Sequence, residues 1–271
     1  MLIKYKKLFY LLSLVAVALS IFSLLNNGLN LGIDFTGGSL LEVEGKVLRE
    51  NSPEDLNLMV QPGESSAMIR FQETDEATHD RILESTGKKV LRFDAIGPVV
   101  GNELKSKSLW AGAIVIVLII LYVAWAFRKI KNPFKYGLLA ILALVHDVII
   151  TIGVFSWLNI ELNVTFVVAI LTILGYSVND TIVVFDRVRE NLLKNPDEEL
   201  AEIVGKSIKE TMRRSFFTSL TTLIILFSIY FLGSATIQSF ILALIIGIIS
   251  GTYSSIFLAS PLLVSLRKRK I

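Results

Sequence analysis

Cysteine is absent from this 271-residue chain, which removes disulfides and thiolate metal sites together and leaves the redox compartment unmarked. Histidine is scarce as well: the 2 present, His79 and His146, stand too far apart to suggest a zinc site, so no metal is expected. Charged residues make up only 19% of the chain, and no basic stripe with interleaved aromatics occurs, so nucleic acid is not an expected partner. No nucleophile with a neighbouring base and no cofactor fingerprint can be read along the chain. An enzyme and a bound cofactor are therefore not expected.

What abounds is apolar surface. Hydrophobic residues are 53% of the chain and unevenly placed, which marks a membrane protein. Six runs approach the roughly 20 helical residues that cross a bilayer: Leu8 to Leu25, Leu109 to Phe127, Tyr136 to Trp157, Leu162 to Phe185, Phe216 to Leu232 and Ile237 to Leu266. Pro261 is expected to bend or end the last one, which is long enough to tilt. The first run starts on basic residues and contains "ALS" at Ala18 to Ser20, as a cleaved signal would. Its apolar length exceeds the roughly 7 to 15 residues of a signal core, so it reads as a span.

Charge divides the chain. Gly28 to Lys107 holds 14 acidic and 9 basic residues, and the remainder holds 10 acidic and 18 basic. The basic excess therefore belongs to the membrane part, where it suits anionic lipid headgroups. Short connections rich in Lys and Arg mark the cytoplasmic side: Lys4, Lys6 and Lys7 before the first run; Arg128, Lys129, Lys131 and Lys135 between the second and third; Arg187, Arg189, Arg213 and Arg214 around the connection of the fourth to the fifth; and Arg267 to Lys270 at the end. "NIELN" (Asn159 to Asn163) and "GSAT" (Gly233 to Thr236) carry none. Both termini are expected in the cytoplasm of a multi-pass inner-membrane protein. Residues 1–27 would hold the N-terminus and first span, 28–107 an extracytoplasmic α/β domain, and 108–271 a five-helix membrane domain.

In the outer domain, "SLLEVEG" (Ser39 to Gly45), "SAMIRFQ" (Ser66 to Gln72) and "KKVLRFDA" (Lys88 to Ala95) read as strands. "SPEDLNLMV" reads as a helix capped by Ser52 with Pro53 at its first position, and a second helix is expected from Asp75 to Ser85. Element order suggests an open sheet with helices on one face, of ferredoxin-like type. Near 196–214, Leu200, Ile203, Val204, Ile208 and Met212 form an apolar stripe between an acidic start and a basic end. That segment reads as an amphipathic cytoplasmic helix lying on the membrane or a partner, or as a solvated connector.

Two carboxylates sit deepest in the apolar runs: Asp147 near the middle of the third, and Asp180 roughly 10 Å from the cytoplasmic end of the fourth at about 1.5 Å per residue. Hydrocarbon hydrates no ion, so each must be paired, wetted or neutral, as a proton carrier requires. Ser177, Asp180 and Thr181 share one helical face, with Asn179 at its flank. Arg214 opens the fifth run and is either a partner for Asp180 or a positive-inside anchor. Asp186, Arg187 and Arg189 can snorkel to water. Thr218, Ser219, Thr221 and Thr222 can line a wet path or bond back to their own helix. His146 is a proton relay or makes a plain interhelical hydrogen bond. Ala243, Gly247, Gly251, Ser255 and Ala259 form a small-residue packing stripe for a helix of this chain or another. "GIDFTGG" is not a phosphate loop; its glycines Gly32, Gly37 and Gly38 read as a hinge with positive-φ turns.

"GIDFTGG", "GPVVGNEL" (Gly97 to Leu104), "HD" (His146 and Asp147), "GYSVNDTIVVFDRVREN" (Gly175 to Asn191), "TSLTTL" (Thr218 to Leu223) and "GTYSSIFLASPLL" (Gly251 to Leu263) occur in this order along nearly the whole chain. Together they resemble the SecF family of bacterial protein-export subunits, in the resistance-nodulation-division superfamily. The resemblance implies a six-span subunit that pairs with SecD beside the SecYEG channel and other accessory subunits, and uses proton flow to help draw an unfolded exported polypeptide outward. It also implies that Asp180 carries the proton with Arg214 as the nearby cation, and that Asp147 and Asn179 support them. Ser215 departs from the family in standing where threonine is expected. The alternatives are a non-conducting scaffold of the same complex and half of a superfamily small-molecule exporter; an outer domain of about 80 residues is small for enclosing a drug-sized pocket.

Overall fold

The structure is a computed structural model, and it describes residues 2–45, 59–62, 66–71, 78, 80, 82, 89–128 and 133–266. The chain divides into two compact units: Leu31–Trp110, and Met1–Asn30 joined with Ala111–Ile271.

In the smaller unit, "GIDFTGG" folds into a single helical turn, α2 (Ile33–Thr36), followed by β1 (Gly38–Glu44). β2 (Met59–Pro62), β3 (Ser66–Phe71) and β4 (Val90–Ile96) complete a sheet of order β2-β3-β1-β4 with every pair antiparallel. Side chains alternate across a strand, so Leu41 and Val43 of β1 meet Ala67, Ile69 and Phe71 of β3, and Ile82 covers them. Thr78, Asp80 and Ile82 are helical between β3 and β4. This order agrees with the ferredoxin-like arrangement expected from the sequence.

β2 corrects that expectation in one place. Met59 and Val60, assigned to the end of a helix, are strand residues paired with Arg70 and Ile69. A four-residue edge strand ending on Pro62 has little strand signal, and the edge is where a sheet tolerates proline. The helix expected from Ser52, most of the one expected over Asp75 to Ser85, and His79 lie outside the described residues, as do Lys129, Lys131 and Arg267 to Lys270.

Six helices are long and apolar enough to cross a membrane. They are α1 (Lys6–Asn27), α3 (Pro98–Ala126), α4 (Pro133–Trp157), α5 (Val164–Lys194), α6 (Leu200–Leu232), and a sixth made of α7 (Ala235–Ser254), a π-helical turn (Ser255–Ala259) and α8 (Ser260–Ser265). Local chemistry sets several starts. Pro98 and Pro133 open α3 and α4, where the missing N–H is harmless, and the Asn163 side chain accepts the Phe166 N–H at 3.0 Å to cap α5. Pro261 does not end the sixth helix. The π turn ahead of it relieves the clash of its ring with the preceding turn, and the Ser260 hydroxyl donates to the Ser255 carbonyl at 2.8 Å.

The second correction concerns residues 196–214. They do not form a separate helix, because Leu200–Leu232 is one helix of 33 residues. At about 1.5 Å per residue α6 spans about 50 Å, against a hydrocarbon core of about 30 Å. Its apolar stripe is covered in large part by this chain itself: Ile203, Val204 and Ile208 are buried in one cluster with Val184, Phe185 and Val188 of α5, with Leu200 and Met212 partly buried beside them. Polar contacts fasten the same seam. Arg187 pairs with Glu190 and reaches Glu210 at 2.6 Å, and the Asn191 amide donates to Ser207 at 2.9 Å and to Glu210 at 3.0 Å.

Candidate functional site

The geometry begins with close helix packing. A Cβ placed on Gly247 would stand 2.3 Å from the Ile173 side chain, and one on Gly251 would stand 2.8 Å from that of Ser177. Both distances are impossible for real side chains, so α7 lies against α5 only because these positions are glycine. The small-residue stripe therefore serves this chain, and a large residue at Gly251 would disrupt its own bundle before any partner's. Ser255 belongs to the same seam, with its hydroxyl 2.8 Å from Thr181 Oγ1.

That approach brings three serines onto Asp147, which α4 holds at 0% exposure. Asp147 Oδ1 accepts from Ser250 Oγ at 2.8 Å and lies 3.0 Å from His146 Nδ1. Asp147 Oδ2 accepts from Ser177 Oγ at 2.7 Å and Ser254 Oγ at 2.8 Å. Four polar groups thus surround one carboxylate and tie α4, α5 and α7 together, which is how a buried charge becomes tolerable. Ser250 and Ser254 went unnoticed in the sequence; the signal was a cluster of hydroxyls (Ser250, Thr252, Tyr253, Ser254, Ser255) in an otherwise apolar helix.

Of the two readings of His146, proton relay or plain interhelical hydrogen bond, the second does not occur among the described residues. Instead its Nδ1 turns to its own chain neighbour, its ring stacks on Tyr253 with centroids 6.1 Å apart, and Nε2 is buried without a hydrogen bond. Tyr253 extends the network, accepting from Ser13 Oγ at 3.2 Å and donating to the Phe9 carbonyl at 2.8 Å.

Asp180 is held differently. It is 7% exposed and faces Ser215 of α6, with Arg214 near enough to act on it electrostatically. The Ser215 hydroxyl interacts with the Asp180 carboxyl across this contact, yet Asp180 Oδ2 and Ser215 Oγ are both buried and neither makes a hydrogen bond of ordinary geometry. Arg214 is exposed and makes no direct ion pair among the described residues. Asn179 is also exposed, on the opposite side of α5 from the buried face of Ser177, Asp180 and Thr181. The structure thus brings Asp180 and Arg214 into one neighbourhood, gives Asp147 its own, and leaves Asn179 out of both. Thr218, Thr221 and Thr222 bond back to carbonyls of α6, and Ser219 meets Thr252 at 2.6 Å.

Of the three glycines expected to take positive φ, Gly37 (+75°) and Gly38 (+117°) do so. Gly32 has an ordinary φ of −73° because it serves as the cap before α2, its carbonyl accepting the N–H of Phe35 and Thr36. A Cβ on Gly37 would lie 2.9 Å from Pro98 Cα, so glycine is needed there for close approach as well.

A bundle of six bilayer-length helices with carboxylates set among them, carrying a small antiparallel α/β domain, defines a polytopic helical membrane protein. Comparison with known proteins narrows the class. The C-terminal pattern of the protein export membrane proteins SecD and SecF matches residues 78–269, and the SecD/SecF GG motif matches residues 22–46. The chain belongs to this SecD/SecF family. Protein translocase subunit SecF of Thermobaculum terrenum is 39% identical over 97% of this chain and 92% of that protein. The subunit SecF of Sebaldella termitidis is 39% identical over 99% and 92%, and that of Haemophilus influenzae 37% over 94% and 82%. The crystal structure of SecDF from Thermus, a translocon-associated membrane protein, matches with a TM-score of 0.89 at 33% identity over 98% of this chain. A second SecDF structure, in a super-membrane-facing form, matches with a TM-score of 0.73 at 32% identity. This chain spans 38% of the length of either SecDF chain.

Proposed function

We propose that this chain is the SecF-type accessory subunit of the Sec protein-export machinery, that it pairs with SecD, and that the proton gradient acts on it through Asp180. One observation carries the proposal. Of the two carboxylates buried in the bundle, Asp147 has each oxygen occupied while Asp180 has an oxygen free of hydrogen bonds beside Ser215 and within the field of Arg214. A group that takes up and releases a proton needs such a vacant acceptor; a saturated one must first break its helix contacts. Asp180 ionised is favoured by Arg214, and Asp180 protonated releases that attraction, so the two states prefer different spacings of α5 and α6. One charge moving through 100 mV yields about 2.3 kcal/mol, which shifts a two-state equilibrium about fiftyfold.

Polar groups that this chain leaves uncovered support the choice of partner, and the basic connections support the orientation. Asn179 of α5 and Arg214 of α6 are exposed on membrane helices, where lipid offers no hydrogen bonds. A SecD helix laid against them would supply these. The basic connections put both termini in the cytoplasm. The α/β domain then stands outside, where it would meet the unfolded polypeptide leaving SecYEG.

The test is export of a late-stage translocation intermediate in membrane vesicles with and without a proton gradient. Wild type should export faster with the gradient, and Asp180→Asn should lose that gain while still assembling with SecD. Gradient-dependent export unchanged in Asp180→Asn would overturn the proposal.

A further inference from the structure

α3 is the span least embedded in protein: 11% of its membrane window is buried, against 61% for the sixth span. It is pinned at its basic end. Phe127 stacks on Tyr136 at 5.1 Å and meets Phe185 edge-on at 6.2 Å. Arg189 of α5 donates from Nη1 to the Ala126 carbonyl at 3.1 Å and pairs with Asp186 Oδ1 at 3.3 Å. Beside this junction lies a cavity of about 320 Å³ lined by Trp125, Ala126, Arg128 and Arg189.

Two guanidiniums therefore face one opening. Asp186 compensates Arg189, whereas Arg128 has no carboxylate partner among the described residues and lies 4.7 Å from the centre of the Trp125 ring. A guanidinium seated over an aromatic ring still has N–H groups to offer an anion. The face of α3 that carries Trp125 continues, at helical spacing, over the exposed apolar side chains of Tyr122, Leu121, Leu118 and Ile114. Tyr122 and Trp125, with ring centres 6.5 Å apart, form an aromatic pair of the kind enriched at headgroup level, and with the apolar track along α3 they make a surface that a phospholipid can cover with one headgroup and one chain.

We propose that this cavity binds the phosphate of an anionic phospholipid, with Arg128 and Arg189 on the phosphate, Trp125 against the glycerol and the outer face of α3 along an acyl chain. The singly charged phosphodiester of phosphatidylglycerol matches Arg128, the lining guanidinium without a carboxylate partner among the described residues. Such a lipid fills the gap between α3 and α5, the helix that carries Asp180, and does so whether or not Asp180 conducts protons.

The full chain, purified with its SecD partner and delipidated, is titrated with phosphatidylglycerol, phosphatidylcholine or inorganic phosphate and read by native mass spectrometry. A charge near a headgroup contributes about fivefold in affinity, so Arg128→Gln and Arg189→Gln should each weaken phosphatidylglycerol by about that factor, and together by roughly twentyfold. Arg213, which stacks on Phe217 at 5.7 Å but does not line the cavity, should tolerate Arg213→Gln without effect. In a chain with Trp110→Phe and Trp157→Phe, brominated phosphatidylglycerol should quench Trp125 more than brominated phosphatidylcholine does. Equal phosphatidylglycerol binding by wild type and the double variant, equal quenching by the two lipids, or displacement of the lipid by inorganic phosphate would each overturn the proposal.

Discussion

Asp147 and Asp180 pose the same physical problem, a carboxylate among apolar helices, and the protein answers it in opposite ways. Around Asp147, serines from two helices and the neighbouring histidine surround the carboxylate, and three helices are drawn together by the contact. Around Asp180 one oxygen is left without a hydrogen bond of ordinary geometry, the adjacent serine is no better placed, and a guanidinium stands off without forming an ion pair among the described residues. The difference teaches that burial alone does not identify a proton carrier. Under the proposed function, hydrogen-bond saturation makes Asp147 a structural clamp, and the free oxygen of Asp180 leaves that acid able to change state.

The sharpest way to break the comparison is to delete each acid. Asp147→Ala should destabilise the chain by about 3–5 kcal/mol, since it strands several buried polar groups, and thermal unfolding in detergent would register this. Asp180→Asn should change stability by less than about 1 kcal/mol yet remove gradient-driven export; the opposite ranking in unfolding would exchange the two roles. Next in size, Ser254→Ala removes one donor to Asp147 and should lose about 1–3 kcal/mol. The smallest effect belongs to Ser215→Ala, whose hydroxyl makes no hydrogen bond of ordinary geometry. It should stay within about 0.5 kcal/mol in the same melts, while any change in export would have to come through Asp180.

Much of this architecture is legible in the chain. The apolar runs anticipate all six spans, and alternation reveals β1, β3 and β4, while β2 escaped because four residues ending in proline carry too little periodicity. Both buried acids stand out against their apolar surroundings. Their neighbours do not: Ser250 and Ser254 lie about a hundred residues from Asp147, and only a helix crossing makes them adjacent. Asn179 shows the converse, since one residue of separation from Asp180 turns it about 100° around α5, to the outside. The apolar stripe of 200–212 was legible as a stripe, but a stripe does not say what covers it.

Length, hydrophobicity and the position of each charge are properties of a local segment, because the free energy of placing a residue in lipid is paid where that residue sits. The sequence alone therefore determined six spans, a small α/β insertion and two acids in apolar helices. Which acid is saturated was decided by tertiary structure. A hydrogen bond requires atoms within about 3 Å, and only the packing of α7 on α5 through Gly247 and Gly251 sets which hydroxyls come that near.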